Sequence, residues 1–327
     1  MVIWILELTG ASYLLSYGAE HMSKSFGTRF VGRTLLSVAT TLPEIAIVAY
    51  AAAGGFYDTA ISSALGSNLL MMTLGLSIML LIATTRLSKA PLKAIDAKAF
   101  KLDKYLLIIT AVASLVMFMD GFDFIDGIIF SAMFGAYLYL AYREMLKERV
   151  SLKAKLVSEN SETHNEQKKK TVKAVVTFAI GTTGIFLGAE PFIHALEGTA
   201  LDHGISVAIL AIIISPVAGE MPEKISMMIL ARKGAAGASI AVANVLGSKI
   251  LNNTLLLAVA IFGGTMYRGF TAEIPITSIL WYQIVLVTVI TIVALIPMLR
   301  DKLDLKSGIL LLALYIIGIG IQFYLPQ

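Results

Sequence analysis

Long apolar runs, separated by short charged loops, constrain this chain more than any other feature of its sequence. A helix needs about 20 predominantly apolar residues to cross the hydrocarbon core of a bilayer. Apolar residues make up 57% of the 327 residues and charged residues only 15%, whereas a soluble domain has about 45–50% and about 25%. Because a lipid-exposed segment must satisfy its backbone amides internally, the sequence predicts an all-α polytopic membrane protein.

About ten apolar segments can be delimited, and each is predicted to be one transmembrane helix. They lie at 2–19, 30–54, 58–85, 104–119, 125–142, 172–194, 204–231, 235–264, 276–298 and 306–325. The first segment has no basic stretch before it, so we expect it to be a span rather than a signal peptide.

Basic residues recur in alternate loops, which gives the expected orientation. The stretch 143–173 is the longest basic loop, and the turn 120–126 between two spans is acidic. Basic loops face the cytoplasm, so both termini are expected outside, in the plasma membrane of a prokaryote. The net charge of +4 is therefore a topology signal, and we expect lipid and inorganic cations as partners rather than nucleic acid. The oligomeric state stays open.

The segment 145–171 is polar and mixed in charge, and it divides the chain into two halves. We interpret it as a cytoplasmic linker between a first five-helix repeat, 1–144, and a second one, 172–327. A regulatory site in this segment is the alternative.

Short motifs recur in the same order in both halves. The matching stretches are 18–20 with 188–190, 41–44 with 220–223, and 64–68 with 245–249. Because each half has an odd number of spans, the second half should enter the membrane inverted relative to the first. Inverted repeats place a substrate site near mid-depth between the two halves, an arrangement typical of carriers.

Three glutamates lie inside predicted spans: Glu44 in the second, and Glu220 and Glu223 in the seventh. An acidic side chain at mid-bilayer costs about 2.5–3.5 kcal/mol, so a structural role alone explains three of them poorly. Pro43 and Pro222 each precede a glutamate, and a proline frees a backbone carbonyl about one turn earlier.

Carboxylates, hydroxyls and freed carbonyls together provide the all-oxygen ligand set that a hard cation such as Ca²⁺ prefers. The chain has no cysteine, which excludes thiolate metal sites and disulfides, and no bound cofactor is expected. The alternative is that a glutamate is simply paired with Lys224 or Lys249.

The motif Val38-Ala-Thr-Thr-Leu-Pro-Glu44, followed by Gly66-Ser67-Asn68, resembles the first alpha-repeat of the calcium/cation antiporter superfamily. The resemblance is closest to prokaryotic sodium/calcium exchangers, with alpha-repeats at about 32–71 and 211–253. It implies two inverted five-helix repeats and a gate formed by sliding of the first and sixth spans.

The resemblance also implies a set of cation ligands. Glu44 and Glu223 take the positions of the two repeat glutamates. Carbonyl ligands fall on Thr40 and Gly219, and hydroxyl positions fall on Thr41, Ser67 and Ser248. The remaining predicted members, Glu220 and Asn252, stand where the family has a small hydroxyl residue and an aspartate.

Two further departures from the family pattern affect the predicted coupling. Met71 stands where the family often has Asn, and Lys249 replaces the usual Asn after Gly-Ser. We expect Glu220 to offset the aspartate lost at 252. Fewer neutral oxygens would weaken Na⁺ sites and favour protons as the counter-ion. Lys249 could stand in for a bound cation, pair with Glu220, or extend away from the centre.

The sequence predicts a secondary active antiporter, not an enzyme, that exports Ca²⁺ in exchange for Na⁺. The alternatives are an exchanger of H⁺ for Ca²⁺ or another divalent cation, and a diverged member with altered cation specificity. A channel would need a continuous polar stripe, which the sequence lacks. An enzyme built on the adjacent Ser248 and Lys249 is disfavoured, because neighbouring residues on a helix do not face each other.

Overall fold

A computed structural model gives the backbone of residues 1–25, 29–153, 164–271, 273–275 and 277–325. Within these ranges it describes no side chains at 19–25, 29–39, 145–153, 164–171 or 222.

Helices account for most of the described chain. They are α1 Val2–Ser25, α2 Arg29–Ala53, α3 Tyr57–Leu70, α4 Leu76–Thr84, α5 Lys101–Met117, α6 Phe124–Lys153, α7 His164–His203, α8 Val207–Ala231, α9 Ala235–Leu251, α10 Leu257–Arg268, α11 Ser278–Leu299 and α12 Leu305–Gln322. A short 3₁₀ turn, Lys98–Phe100, precedes α5.

Two π-helical turns join helices end to end. Met71–Gly75 connects α3 to α4 in one rod, Tyr57–Thr84, and Asn252–Leu256 connects α9 to α10 in another, Ala235–Arg268. The described residues therefore form ten helical rods at nearly the predicted positions. The inverted relation of the two halves stays a prediction.

Six rods in the described part of the chain are long and apolar enough to cross a membrane by themselves, which agrees with an integral membrane protein. They are Tyr57–Thr84, Phe124–Glu144, Val172–His203, Ala235–Arg268, Ser278–Leu299 and Leu305–Gln322. Thr40–Ala53 and Val207–Met221 are shorter apolar stretches, within α2 and α8.

One small ladder departs from the predicted all-α fold. Strand β1, Ile95–Asp96, pairs antiparallel with β2, Lys302–Leu303, with Ile95 opposite Leu303. It ties the loop after α4 to the loop after α11. Strands of two residues are too short to give a recognisable alternation of apolar and polar residues.

The predicted linker, 145–171, overlaps the ends of two helices. The helix α6 continues to Lys153 and α7 begins at His164. The middle of the predicted linker, 154–163, lies outside the described residues.

The two π-containing rods form the centre of the bundle. In the most apolar window of each, 78% and 83% of the residues are buried, against 17% in Phe124–Glu144. Polar side chains that are carried by these two rods therefore lie inside protein rather than facing lipid.

The rod Tyr57–Thr84 lies very close to α8 near Gly66. A Cβ atom at Gly66 would lie 2.7 Å from the Cα of Ile212 and even closer to its carbonyl oxygen. Only glycine allows the two backbones to approach so closely. This contact places Ser67 of α3 beside Glu220 of α8.

The π turns occupy equivalent places in the two halves. The first begins four residues after Ser67, at Met71, and the second begins four residues after Ser248, at Asn252. Both follow a Gly-Ser pair, which supports the internal repeat that the motifs indicate. Single π turns inside helices are frequent at functional sites.

Candidate cation-binding site

Three buried carboxylates converge at the centre of the bundle. Glu44 comes from α2, while Glu220 and Glu223 come from one face of α8. One carboxylate oxygen of each lies within 4.8 Å of the others, and the three residues are only 5%, 0% and 2% exposed. Enclosed like charges repel one another, so this cluster needs either positive charge nearby or a proton on one of its carboxylates.

The hydroxyl of Ser67 connects the two helices that carry these glutamates. Its Oγ lies 3.2 Å from Glu44 Oε1 and also contacts Glu220 Oε1. Lys249 Nζ donates to Ser67 Oγ at 2.7 Å, and Asn252 Nδ2 donates to it at 2.5 Å. Since a hydroxyl has one proton to donate, Ser67 serves one carboxylate at a time.

Glu223 is held by α9 instead. Asn244 Nδ2 donates to its Oε1 at 2.9 Å, and Ser248 Oγ lies 3.5 Å from its Oε2. The sequence predicted Ser248 as a ligand but missed Asn244. The available signal was spacing, because Asn244 lies four residues before Ser248 and therefore shares its helix face.

The other predicted residues lie on the helices that carry the carboxylates. Thr40 and Thr41 are buried in the turn of α2 that precedes Glu44. A Cβ atom at Gly219 would lie 3.2 Å from Glu44 Cγ, so glycine there leaves room for the Glu44 side chain. The carbonyl ligands predicted at Thr40 and Gly219 remain predictions.

Lys249 is wholly buried and forms an ion pair with Glu220 Oε1. Its amine therefore does not extend away from the centre, and that alternative is wrong. The alternative of a glutamate paired with a lysine applies to Glu220. Glu220 lies in the cluster with Glu44 and Glu223, and its ion pair with Lys249 offsets its charge.

Lys224 lies at the edge of the same group. Its amine is 3.8 Å from Glu220 Oε2, and its side chain is 14% exposed. It donates to the carbonyl oxygen of Pro216 at 2.9 Å. Lys224 thus donates to a backbone carbonyl of its own helix, and its amine is farther from Glu220 than that of Lys249 is.

Four buried acceptor oxygens on two of the glutamates and on two asparagines of the central rods have no hydrogen-bond donor among the described residues. They are Glu44 Oε2, Glu220 Oε2, Asn68 Oδ1 and Asn252 Oδ1. An unsatisfied buried acceptor costs about 1–3 kcal/mol, and a bound cation would remove that cost. A cavity of about 10 Å³, lined by Glu44, Ser63, Ser67 and Ser215 among others, is close to the size needed for one water or small ion.

Known proteins resemble this chain over nearly its whole length. A profile of the sodium/calcium exchanger protein family matches residues 1–143 and 173–324. An uncharacterized membrane protein of Methanocaldococcus jannaschii is 27% identical over 305 residues, which cover 93% of this chain and 90% of that protein.

Two solved structures share the fold. The H⁺/Ca²⁺ exchanger CAX superposes with a TM-score of 0.78 at 21% identity, over 100% of this chain and 81% of that chain. The sodium–calcium exchanger NCX_Mj, soaked with Na⁺ and Sr²⁺, gives a TM-score of 0.65 at 24% identity, over 98% and 96%. At these identities the likeness establishes the fold alone.

Proposed function

The chain belongs to the sodium/calcium exchanger family, and we propose that it exports Ca²⁺ from the cytoplasm in exchange for Na⁺. The observation that carries this proposal is the convergence of three buried carboxylates, one from the first half and two from the second. Two of their own oxygens, Glu44 Oε2 and Glu220 Oε2, and the amide oxygen of Asn252 have no hydrogen-bond donor among the described residues.

The ligand chemistry of the site suits a hard divalent cation. Ca²⁺ takes six to eight oxygen ligands. The carboxylates of Glu44 and Glu223 would supply the charge. The neutral oxygens would come from the hydroxyls of Thr41, Ser67 and Ser248, the amide of Asn252 and the carbonyls of Thr40 and Gly219.

Competition for Glu44 and Glu223 would couple the two ion flows. Ca²⁺ and the counter-ion need the same two carboxylates, so they bind in turn rather than together. An empty site leaves like charges unpaired in a low-dielectric interior, which makes a transition without ions costly. The protein would then switch between its outward-open and inward-open states only when an ion is bound at the site.

Movement of α1 and α7 would open the site alternately to the two sides. These helices correspond to the predicted first and sixth spans, and they pack along each other over much of their length. Glu44, Glu220 and Glu223 are carried by other helices, so such a movement would leave the site itself in place.

A proton is the second candidate for the counter-ion. Met71 begins the first π turn and is wholly buried, and its thioether stands where the exchanger pattern that this sequence resembles often has Asn. Na⁺ would lose an oxygen ligand there, whereas a proton needs only one carboxylate oxygen. The loss of an oxygen ligand at Met71 would also explain an altered preference among divalent cations.

Uptake of ⁴⁵Ca²⁺ into proteoliposomes tests the proposal. Outward gradients of Na⁺ and of H⁺ are imposed separately, and the Na⁺ gradient is expected to drive uptake. Glu44→Gln and Glu223→Gln should each reduce it at least tenfold. The control, Glu273→Gln, changes an exposed glutamate outside the site and should transport like the wild type.

Three results would contradict the proposal in different ways. Uptake that responds to neither gradient would overturn antiport itself. Normal uptake by both glutamine variants would retain antiport but remove the assigned carboxylates. Uptake that responds only to the H⁺ gradient would replace Na⁺ by the proton as the counter-ion.

A further inference from the structure

The amine of Lys249 lies in the surroundings of a bound cation. Its contacts are three oxygens: the carboxylate Oε1 of Glu220, the hydroxyl of Ser67 at 2.7 Å and the carbonyl oxygen of Ser67 at 3.4 Å. A carboxylate, a hydroxyl and a backbone carbonyl are the ligand types that hold hard cations in proteins. Two helices, α3 and α8, supply these ligands, and the lysine itself comes from a third, α9.

A second lysine, Lys224, also lies near Glu220. It shows that the charge of Glu220 can be offset without an amine that three oxygens surround. Lys224 is four residues from Glu220 on the same helix, and its amine lies 3.8 Å from the other carboxylate oxygen. It is partly exposed and donates to the Pro216 carbonyl. Lys249 instead has no exposed surface and reaches across to Ser67 in the other half of the chain.

The charges of the three glutamates and of Lys249 show how much negative charge remains for transported ions. The cluster has three carboxylates, and Lys249 is paired with one of them, Glu220. The two that remain, Glu44 and Glu223, carry two negative charges when ionised, which balance one Ca²⁺. A lysine amine is covalently fixed, so it cannot leave the site with the transported ions.

We propose that the Lys249 ammonium is a resident cation that occupies one monovalent-cation position of the site. The protein therefore binds, and moves in each cycle, one monovalent ion fewer than it would without this lysine. The transport part of this statement depends on the proposed antiport function. The binding part depends only on the position of the amine.

Counting bound Na⁺ tests the binding part without any transport. The midpoint of thermal unfolding of the purified protein in detergent is measured against Na⁺ concentration at pH 8, without Ca²⁺, with choline keeping ionic strength constant. The slope of this dependence reports the number of Na⁺ ions that bind the folded protein. Lys249→Gln is expected to bind one Na⁺ more than the wild type.

Two matched variants show whether Lys249→Gln binds another Na⁺ because the cation position is empty or only because a positive charge has been removed. Lys224→Gln removes a positive charge from near the same carboxylate and should leave the Na⁺ count unchanged. Glu220→Gln with Lys249→Gln removes both partners and should return the count to the wild-type value. If Lys249→Gln does not fold, Lys249→Asn, which adds an amide oxygen as a ligand, serves in its place.

Charge movement in proteoliposomes tests the transport part. The membrane potential at which net Ca²⁺ flux stops should correspond to one more positive charge moved per Ca²⁺ in Lys249→Gln than in the wild type. An unchanged Na⁺ count in Lys249→Gln, or in Lys249→Asn where that variant takes its place, would overturn the resident cation, even if the wild type exchanges Ca²⁺. Absence of Ca²⁺ exchange in the wild type would overturn the proposed function, while the Na⁺ count still decides the role of Lys249.

Discussion

Replacement of Gly66 by alanine should separate the two helices that bring the site together. The added Cβ would lie 2.7 Å from Ile212 Cα, whereas ordinary contacts of a Cβ atom begin at 3.4 Å. The rod Tyr57–Thr84 and α8 must therefore move apart by at least about 0.7 Å, because the carbonyl oxygen of Ile212 lies closer still, and overpacking of this kind costs about 1–3 kcal/mol.

The same displacement should break a buried hydrogen bond. Ser63 Oγ donates to Ser215 Oγ at 2.9 Å between the same two helices. A further separation of about 0.7 Å moves this contact beyond hydrogen-bond distance, at a cost of about 0.5–1.5 kcal/mol. We therefore expect Gly66→Ala to lower the free energy of unfolding by about 2–4 kcal/mol.

Equilibrium unfolding in mixed micelles, with increasing sodium dodecyl sulfate and circular dichroism as the signal, measures this change. The matched control is Gly135→Ala in α6, where an added Cβ has no heavy atom within 4 Å. That variant should be as stable as the wild type or up to about 1 kcal/mol more stable, because alanine favours the helix. If Gly66→Ala were as stable as Gly135→Ala, the close approach at Gly66 would be refuted.

The remaining predictions concern the buried ion pair and a helix terminus. Glu220→Gln leaves the Lys249 amine without its carboxylate, so the free energy of unfolding in the same assay should fall by about 3–5 kcal/mol; a change below 1 kcal/mol would contradict the ion pair. Asp304 caps α12 by accepting the backbone N–H of Ser307 at 3.0 Å, and this hydrogen bond lowers the pKa of Asp304 from its ordinary value. Asp304→Ala should therefore cost about 1 kcal/mol at neutral pH. Because the pKa is lower in the folded state, the capping contribution is complete above the ordinary aspartate pKa and is lost as the pH falls through the lowered one. A difference between wild type and Asp304→Ala that does not vary with pH would contradict this assignment.

The rods were predictable from the sequence because a long apolar segment in lipid can satisfy its backbone hydrogen bonds within itself only as a helix. The π turns at Met71 and Asn252 were not predicted, since they change the hydrogen-bond pattern without changing the apolar pattern. The β1–β2 ladder joins loops about 200 residues apart in the chain, and two-residue strands carry no periodic signal.

The sequence predicted which helices form the site. It predicted fewer of the contacts between their side chains. The repeated Pro-Glu motifs placed Glu44 and Glu223 together. The choice of Glu220 as the partner of Lys249 was left open, because the two residues are 29 positions apart on different helices and the direction of a long lysine side chain is not fixed by its position in the chain. Asn244 was missed because it lies outside the recurring motifs.

The contacts of Lys249 explain the two most unusual residues of the site together. Aligning the halves by their motifs places Glu220 opposite Thr41 and Lys249 opposite Asn68. In the first pair a neutral threonine corresponds to a negatively charged glutamate. In the second pair a neutral asparagine corresponds to a positively charged lysine. The structure joins Glu220 and Lys249 in one ion pair, so together they add no net charge to the two repeat glutamates. Either substitution alone would unbalance the buried cluster by a full charge, which is why we expect the single variants of this pair to differ from the double variant both in stability and in the number of ions bound.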